Sequence, residues 1–282
     1  MTGVHSKSIL RVRMTLLVGL ILVFLAPASA AAQFGRPSNN QKTRPAMGEN
    51  YHVELSAAWW KPGLFGSIAS DRLNLIGSKI DLVSDLGFGE ARFRDFRVTV
   101  RPGRAHKLRF QQTPLQYTAS GVLARTVTFA GHTFDAALPI DSQLGWKVTR
   151  FGYEWDFICR QRGFVGALFE VRQTELSAAL SSLVVSGAAG AKAPLPAIGI
   201  VARAYPLPDL ALNFEVGGLK VPEFDGKYEG NYSDIDVSAT VNINNNLGVS
   251  AGWRRINTDL RIEQDFGKLK FQGIWFGGAI RY

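Results

Sequence analysis

Between Asp234 and Ile243 the side chains change character at every residue. Ile235, Val237, Ala239, Val241 and Ile243 alternate with Asp234, Asp236, Ser238, Thr240 and Asn242, which is the period-two pattern of a strand with one apolar and one polar face. Val165, Ala167, Phe169 and Val171 repeat it, as do Leu210, Leu212, Phe214 and Val216. At the C-terminal end Ile274, Phe276, Ile280 and Tyr282 share a face opposite Gly273, Gly277, Ala279 and Arg281. Followed along the chain, the alternation predicts ten strands, near 51–61, 89–101, 105–115, 143–157, 164–176, 196–205, 209–221, 231–243, 247–257 and 268–282. In the fourth the apolar set changes parity: Trp146 and Val148 are even, whereas Phe151, Tyr153, Trp155 and Phe157 are odd. A bulge near Thr149 is expected to reconcile the two halves.

The connections alternate in length. Pro102-Gly103-Arg104, Arg160 to Gly163, Pro206-Leu207-Pro208 and Asn244-Asn245-Asn246 are tight and built of turn residues. Between them lie longer segments, 62–88, 116–142, 177–195, 222–230 and 258–267. Short turns at one end and long loops at the other are the rhythm of a membrane barrel. The strand candidates are also longer than the five or six residues usual in soluble sheets. Tyr51, Trp59, Trp60, Tyr153, Trp155, Tyr205, Tyr232, Trp253 and Tyr282 fall near strand ends, as an interfacial aromatic girdle requires. The expected fold is therefore all-β: a closed antiparallel transmembrane barrel of about ten strands. Eight or twelve would result if 116–142 and 177–195 hide or donate a pair. Residues 126–132 are expected to form a short hairpin above the rim, and the Ala- and Leu-rich 177–194 to extend its neighbours or lie at the membrane interface.

Lys7, Arg11 and Arg13 precede an apolar run from Met14 to Leu25 and a small-residue Ala28-Ser29-Ala30 site, the order of a secretory signal. That run holds roughly a dozen residues where a spanning helix needs about 20. The expected domains are a signal peptide at 1–32, a flexible periplasmic arm at 33–49 with Pro37, Pro45 and few apolar residues, and the barrel at 50–282. Of the formal net charge of +9, three units belong to the signal, leaving about +6. Export makes nucleic acid an improbable partner for that excess. The five long segments sum to a slightly acidic total, so no basic surface is expected to face outward to a polyanion. Cys159, the single cysteine, reads as a packing residue.

With signal, turn-and-loop rhythm and the terminal Phe271-Gln272-Gly273-Ile274-Trp275-Phe276-Gly277-Gly278-Ala279-Ile280-Arg281-Tyr282 in view, the chain resembles outer-membrane β-barrel proteins of Gram-negative bacteria. Asp85-Leu86-Gly87-Phe88, Arg109-Phe110-Gln111 and Phe151 to Phe157 are similar to segments of poorly characterised barrel families. The resemblance implies outer-membrane lipid as the surroundings. It also implies the barrel-assembly machinery and periplasmic chaperones as transient partners, through the C-terminal strand. It carries no catalytic residues with it and is silent on oligomeric state.

If the apolar faces meet lipid, the polar faces line a lumen. Glu54, Arg97, Arg109, Arg150, Glu154 and Glu170 fall there, with Arg172, Arg203, Glu215, Asp234, Asp236, Arg254 and Arg281; His52, Asp95 and Lys107 share the same faces. Barrels of about eight strands have interiors that side chains can fill, so this mixed set is expected to pair across the axis and plug it. A structural or interaction role with a closed or narrow lumen follows, with a narrow pore for ions or small solutes as the alternative. A rim hydrolase would have to use His132 with Asp135 or Asp141. No cofactor is expected. Metal ligation lacks paired His or Cys, and Asp71, Asp81 and Asp85 lack the spacing of a calcium loop.

Overall fold

The computed structural model describes residues 45–70, 78–224, 228–262 and 265–282. The expected signal peptide, the arm as far as residue 44, and Asp71 lie outside the described residues. Thirteen strands form among the described residues, in chain order: β1 (Val53–Ser70), β2 (Ile80–Asp81), β3 (Phe93–Gly103), β4 (His106–Val122), β5 (Val127–Phe129), β6 (His132–Phe134), β7 (Pro139–Arg160), β8 (Gly163–Ser181), β9 (Ser186–Ala204), β10 (Leu210–Phe224), β11 (Tyr228–Asn242), β12 (Leu247–Ile262) and β13 (Asp265–Arg281).

Ten of these close a barrel. Each long strand pairs antiparallel with the next, in the order β13-β12-β11-β10-β9-β8-β7-β4-β3-β1, and β13 returns to pair with β1. The seam is continuous from Glu54↔Arg281 to Ser70↔Asp265. It is finished by Val53 and Tyr282, each of which donates its amide to the other's carbonyl, at 2.9 and 2.8 Å. With no edge left, each of these ten strands has two partners, the condition for a sheet to exist in hydrocarbon.

The four tight turns stand where turn chemistry predicted them. Of the long segments, 177–195 takes the first of its two expected forms and extends its neighbours. Residues 177–195 are almost wholly strand, β8 running to Ser181 and β9 starting at Ser186. Segments 222–230 and 258–267 are also mostly strand. Small alternating residues gave little amphipathic contrast there, yet Ala and Gly pair as well as any backbone. The strands therefore project well beyond the length a bilayer demands.

That projection explains the parity change in β7. From Ile140 to Asp156 every even residue but Gly152 is buried, and every odd one faces out or is half-buried. No bulge occurs at Thr149; the irregularity lies between Asp156 and Ile158, at Phe157. What changes at Thr149 is the solvent. Below it Phe151, Tyr153 and Trp155 point outward into lipid while Arg150 and Glu154 point in; above it Trp146, Leu144 and Ile140 point in while Lys147, Gln143 and Asp141 point out. Strand β4 shows the same exchange: Leu108 faces out and Lys107 and Arg109 in, then Leu115 and Tyr117 turn in while Gln116 and Thr118 turn out. The lower wall is built for hydrocarbon and the upper wall for water.

The upper lumen consequently holds an apolar core. Trp60, Leu64, Leu115, Tyr117, Leu144, Trp146, Ile256 and Phe271 are all buried together. Trp146 of β7 meets Phe271 of β13 across the lumen at 4.9 Å between ring centroids, and Tyr117 packs on Phe93 at 4.9 Å and on Phe271 at 6.2 Å. The hairpin β5–β6 caps this stack with Val127, Phe129 and Phe134. Its turn places Ala130 at φ 53° and Gly131 at φ 81°, the left-handed pair that suits a two-residue hairpin. Gly187 of β9 lets the hairpin approach: a Cβ there would lie 3.1 Å from the Phe129 carbonyl. Residues 78–88 fold over the same opening with Leu82, Leu86 and Phe88 inward. Ser78 is tied to Thr128 by bonds of 2.8 and 2.9 Å, and Arg125 bridges Lys79 O and Asp85.

Neighbouring residues of β7 therefore behave oppositely. Trp146→Ala should cost about 3–5 kcal/mol through the cavity it leaves, whereas Lys147→Ala should fall within about 0.5 kcal/mol of wild type. Urea unfolding of both variants in detergent, followed by tryptophan fluorescence and gel mobility, measures the difference.

Candidate functional site in the barrel lumen

The polar faces of ten strands converge below the aromatic stack, and the spacing between strands decides which charges meet. Asp234 of β11 accepts from three nitrogens of two guanidiniums. Arg150 Nη2 of β7 makes a very short contact with it, and Arg254 of β12 reaches it with Nε at 3.1 Å and Nη2 at 2.8 Å. Arg150 Nη2 also donates to the Tyr232 hydroxyl at 3.0 Å. Arg254 Nη1 lies 3.7 Å from Asp95 of β3, whose carboxylate accepts from Gln111 at 2.7 Å and from Thr113. Three strands, β8, β9 and β10, lie between β7 and β11 on the shorter way around the wall, so the Arg150–Asp234 contact crosses the lumen.

A second layer lies nearer the tight turns. Arg109 of β4 bridges Glu154 at 2.9 Å and Glu215 of β10 at 2.5 Å, another contact across the lumen. Lys107 pairs with Glu154 at 2.5 Å and Asp156 at 2.8 Å, and sits 3.5 Å above the Phe164 ring. Arg97 approaches Glu215 at 3.8 Å and donates to Gln111 at 3.3 Å. Arg172 and Glu170 pair within β8 at 2.5 Å, with Arg172 stacked over Tyr232 at 4.3 Å. Beside the seam Arg281 holds Glu54 at 2.5 Å and Asn242 at 2.8 Å. A cavity of about 130 Å³ runs among these side chains, walled by Arg254 and Asp95 of the first layer, Arg109 and Glu215 of the second, and Ser238 and Thr240.

Twelve of the thirteen predicted lumen residues enter ion pairs in this way. Asp236 is the exception: among the described residues it has no cation within ion-pair distance, and it accepts from the Trp275 indole at 3.3 Å. His52 is exposed beside the mouth. Parity did not include Glu49, which belongs to the expected arm. Its carboxylate receives Arg101 at 3.1 Å, Arg203 at 3.3 Å and the Tyr205 hydroxyl at 2.7 Å. Met47 and Gly48 are held too, by Pro208 O, Asn242 and Asn245. Residues 47–49 thus form a strap across the mouth at the tight-turn end of the barrel. No periodic signal marked them. Asp156 was open to detection, since it shares parity with Glu154.

Elsewhere the candidates for chemistry stand apart. His132 is exposed, and no hydrogen bond joins it to Asp135 or Asp141 among the described residues. Asp141 accepts from Ser120 at 2.6 Å on the outer wall. Asp81 caps its own loop, accepting the amides of Val83 at 3.0 Å and Ser84 at 2.9 Å. The Ser84 and Val83 amides hold its carboxyl below the usual range. Among the described residues no group of three or more His, Cys, Asp or Glu side chains is placed to hold a metal.

A closed wall, greasy outside and ionic inside over its lower half, has one solvent that suits it. The fold is a closed, membrane-spanning β-barrel. No family model matches it, and no curated protein does. Among solved structures it is similar to the outer-membrane protease OmpT of Escherichia coli, with 12% identity over 81% of this chain and 97% of that one, at a TM-score of 0.46. The toluene transporter TbuX of Ralstonia pickettii gives 11% identity, 86% and 92% coverage and 0.38. Ail, the attachment invasion locus protein of Yersinia pestis, gives 10%, 82% and 99%, and 0.36. Likeness at that level decides nothing about activity.

The network makes unequal demands on its two neighbouring aspartates. Asp234→Ala strands Arg150 and Arg254 in a buried site and should cost about 3–5 kcal/mol. Asp236→Ala, two residues on, removes no ion pair and should cost less than about 1.5 kcal/mol. Parallel denaturant titrations of the two folded variants give the comparison directly.

Proposed function

We propose that this barrel is non-conducting and serves a structural or interaction role at the cell surface, with its extracellular β-extension as the exposed part. The supporting observation is a double obstruction of the lumen. An ion must first pass guanidinium–carboxylate contacts that span the axis, Arg109–Glu215 and Arg150–Asp234. It then meets Trp146, Tyr117 and Phe271, each at most 2% exposed, an aromatic layer that does little to replace its hydration shell. The β5–β6 hairpin closes the same path again.

The interaction half of the proposal is supported by the tip of β8–β9. Ser182 fixes that turn, accepting the Val184 and Val185 amides at 3.4 and 3.1 Å. The ordered turn holds Leu183 96% and Val184 79% exposed, two apolar side chains presented on a rigid two-stranded stem. The assembly machinery and periplasmic chaperones belong to the same proposal as transient partners, on the strength of the C-terminal strand.

Planar-bilayer recording on the purified, refolded protein tests the obstruction. The expected trace is flat at moderate voltage, with no unitary steps. A steady conductance of defined size in the wild type would replace this reading with that of a narrow pore.

A further inference from the structure

The lumen is filled unevenly. Long side chains enter it from most of the wall, but β1, β11, β12 and β13 also contribute Ser56, Ala58, Ser238, Thr240, Ser250 and Ala279, and the cavity of about 130 Å³ lies against these small residues. Its lining runs from Arg254 and Asp95 to Tyr51 and Arg203 at the tight-turn end. Arg203 Nε donates to Asn213 Oδ1 at 2.6 Å, Asn213 Nδ2 donates to Thr240 at 3.1 Å, and Thr240 shares a bond of 2.8 Å with Ser250. That chain of bonds is complete within the protein.

Two charged groups on the same lining are held less well. Asp236 of β11 stands in register between Glu215 of β10 and Arg254 of β12, but both of these turn to other partners. Glu215 accepts from Arg109, and Arg254 is taken by Asp234 and Asp95. Asp236 receives the Trp275 indole at 3.3 Å and, among the described residues, no base. Arg97 of β3 donates from Nη2 to Gln111 at 3.3 Å and lies 3.8 Å from Glu215. Its side chain is 27% exposed, against 7% or less for Arg109, Arg150, Arg172, Arg254 and Arg281. Strands β1, β13 and β12 lie between β3 and β11, so the two charges enter the cavity from separate sides, and no ion pair joins them.

We infer that this cavity binds a small zwitterion, an amino acid with little or no side chain, whose ammonium meets Asp236 and whose carboxylate meets Arg97. A buried carboxylate without a base is costly, and a bound cation relieves that cost. A guanidinium with free N–H groups matches a carboxylate in a planar fork. A lone cation would also face Arg97 and Arg254, and a lone anion would face Asp236 and Glu215. A molecule carrying both charges suits both ends. Size agrees: a cavity of about 150 Å³ takes a benzene ring, so one of about 130 Å³ holds about five or six non-hydrogen atoms. This site goes beyond a structural or interaction role and stands whether or not the lumen conducts.

Isothermal titration calorimetry of the refolded protein in a non-ionic detergent tests it, with glycine and β-alanine as probes. Propionate lacks the ammonium, propylamine lacks the carboxylate and glycerol lacks both charges, so these three are the controls. Wild type should bind glycine or β-alanine at least roughly tenfold more tightly than any control. Asp236→Asn and Arg97→Gln should each weaken that binding roughly tenfold or more, while Glu175→Gln on the upper outer wall should leave it unchanged. No heat from either amino acid overturns the inference. Propylamine binding as tightly as the amino acids would make the cavity a cation site, and glycerol doing so a polyol site; each result overturns it. Undiminished affinity in Asp236→Asn does the same. Heat-modifiable gel mobility reports whether each variant has folded. Should a charge variant fail to fold, the wild-type comparison of amino acids with controls still decides.

Discussion

A peptide group in hydrocarbon has no water to bond, so every strand that enters the bilayer must be paired on both sides. The rest of this architecture follows from meeting that condition with ten strands. The β1–β13 seam is its last instalment, seventeen residue pairs from Glu54–Arg281 to Ser70–Asp265. Closure at this circumference leaves a lumen narrow enough for side chains to fill. Long side chains from facing walls fill it, and the pairs that matter are the ones that reach across.

Filling the lower lumen with charge is costly in itself. Transferring ions from water is repaid only when geometry and extra hydrogen bonds are good, and apolar replacements often serve as well. Here the arrangement follows from the lipid outside: a strand with an apolar outer face has its other parity free for polar residues, and Arg150, Arg109 and Arg254 satisfy one another's partners. Above the bilayer the reason disappears. Lys147, Glu175 and Lys192 then take the outer face, and Trp146, Leu144 and Phe271 fill the inside as in any water-soluble core.

Most of the fold could be read from alternation. The ten strands, four tight turns and the hairpin near Thr126–His132 carry strong local signals. The change at Trp146 and Phe151 was equally visible, but period-two reasoning cannot separate an extra residue from a change of solvent, because both swap apolar parity. The stretch 177–195 was obscure because Ala, Gly and Ser on both faces carry almost no contrast. For the lumen, parity places a side chain on a face and goes no further. That Arg150 meets Asp234, while Asp236 meets the Trp275 indole, depends on how neighbouring strands are staggered around the cylinder. Glu49 shows the remaining limit, since a strap held by Arg101, Arg203 and Tyr205 has no period to detect.

One uninterrupted parity serving two media makes the strands unusually intolerant of a change in length. A single residue inserted into the middle of β7 would rotate everything beyond it by half a pleat. Guanidiniums would turn toward acyl tails in one half, or indoles toward water in the other, depending on which part kept its pairing. The one irregularity β7 does carry, at Phe157, lies beyond Asp156 and next to the turn. Only a few residues follow it before the chain reverses, so the shift is absorbed where neither medium is strongly enforced.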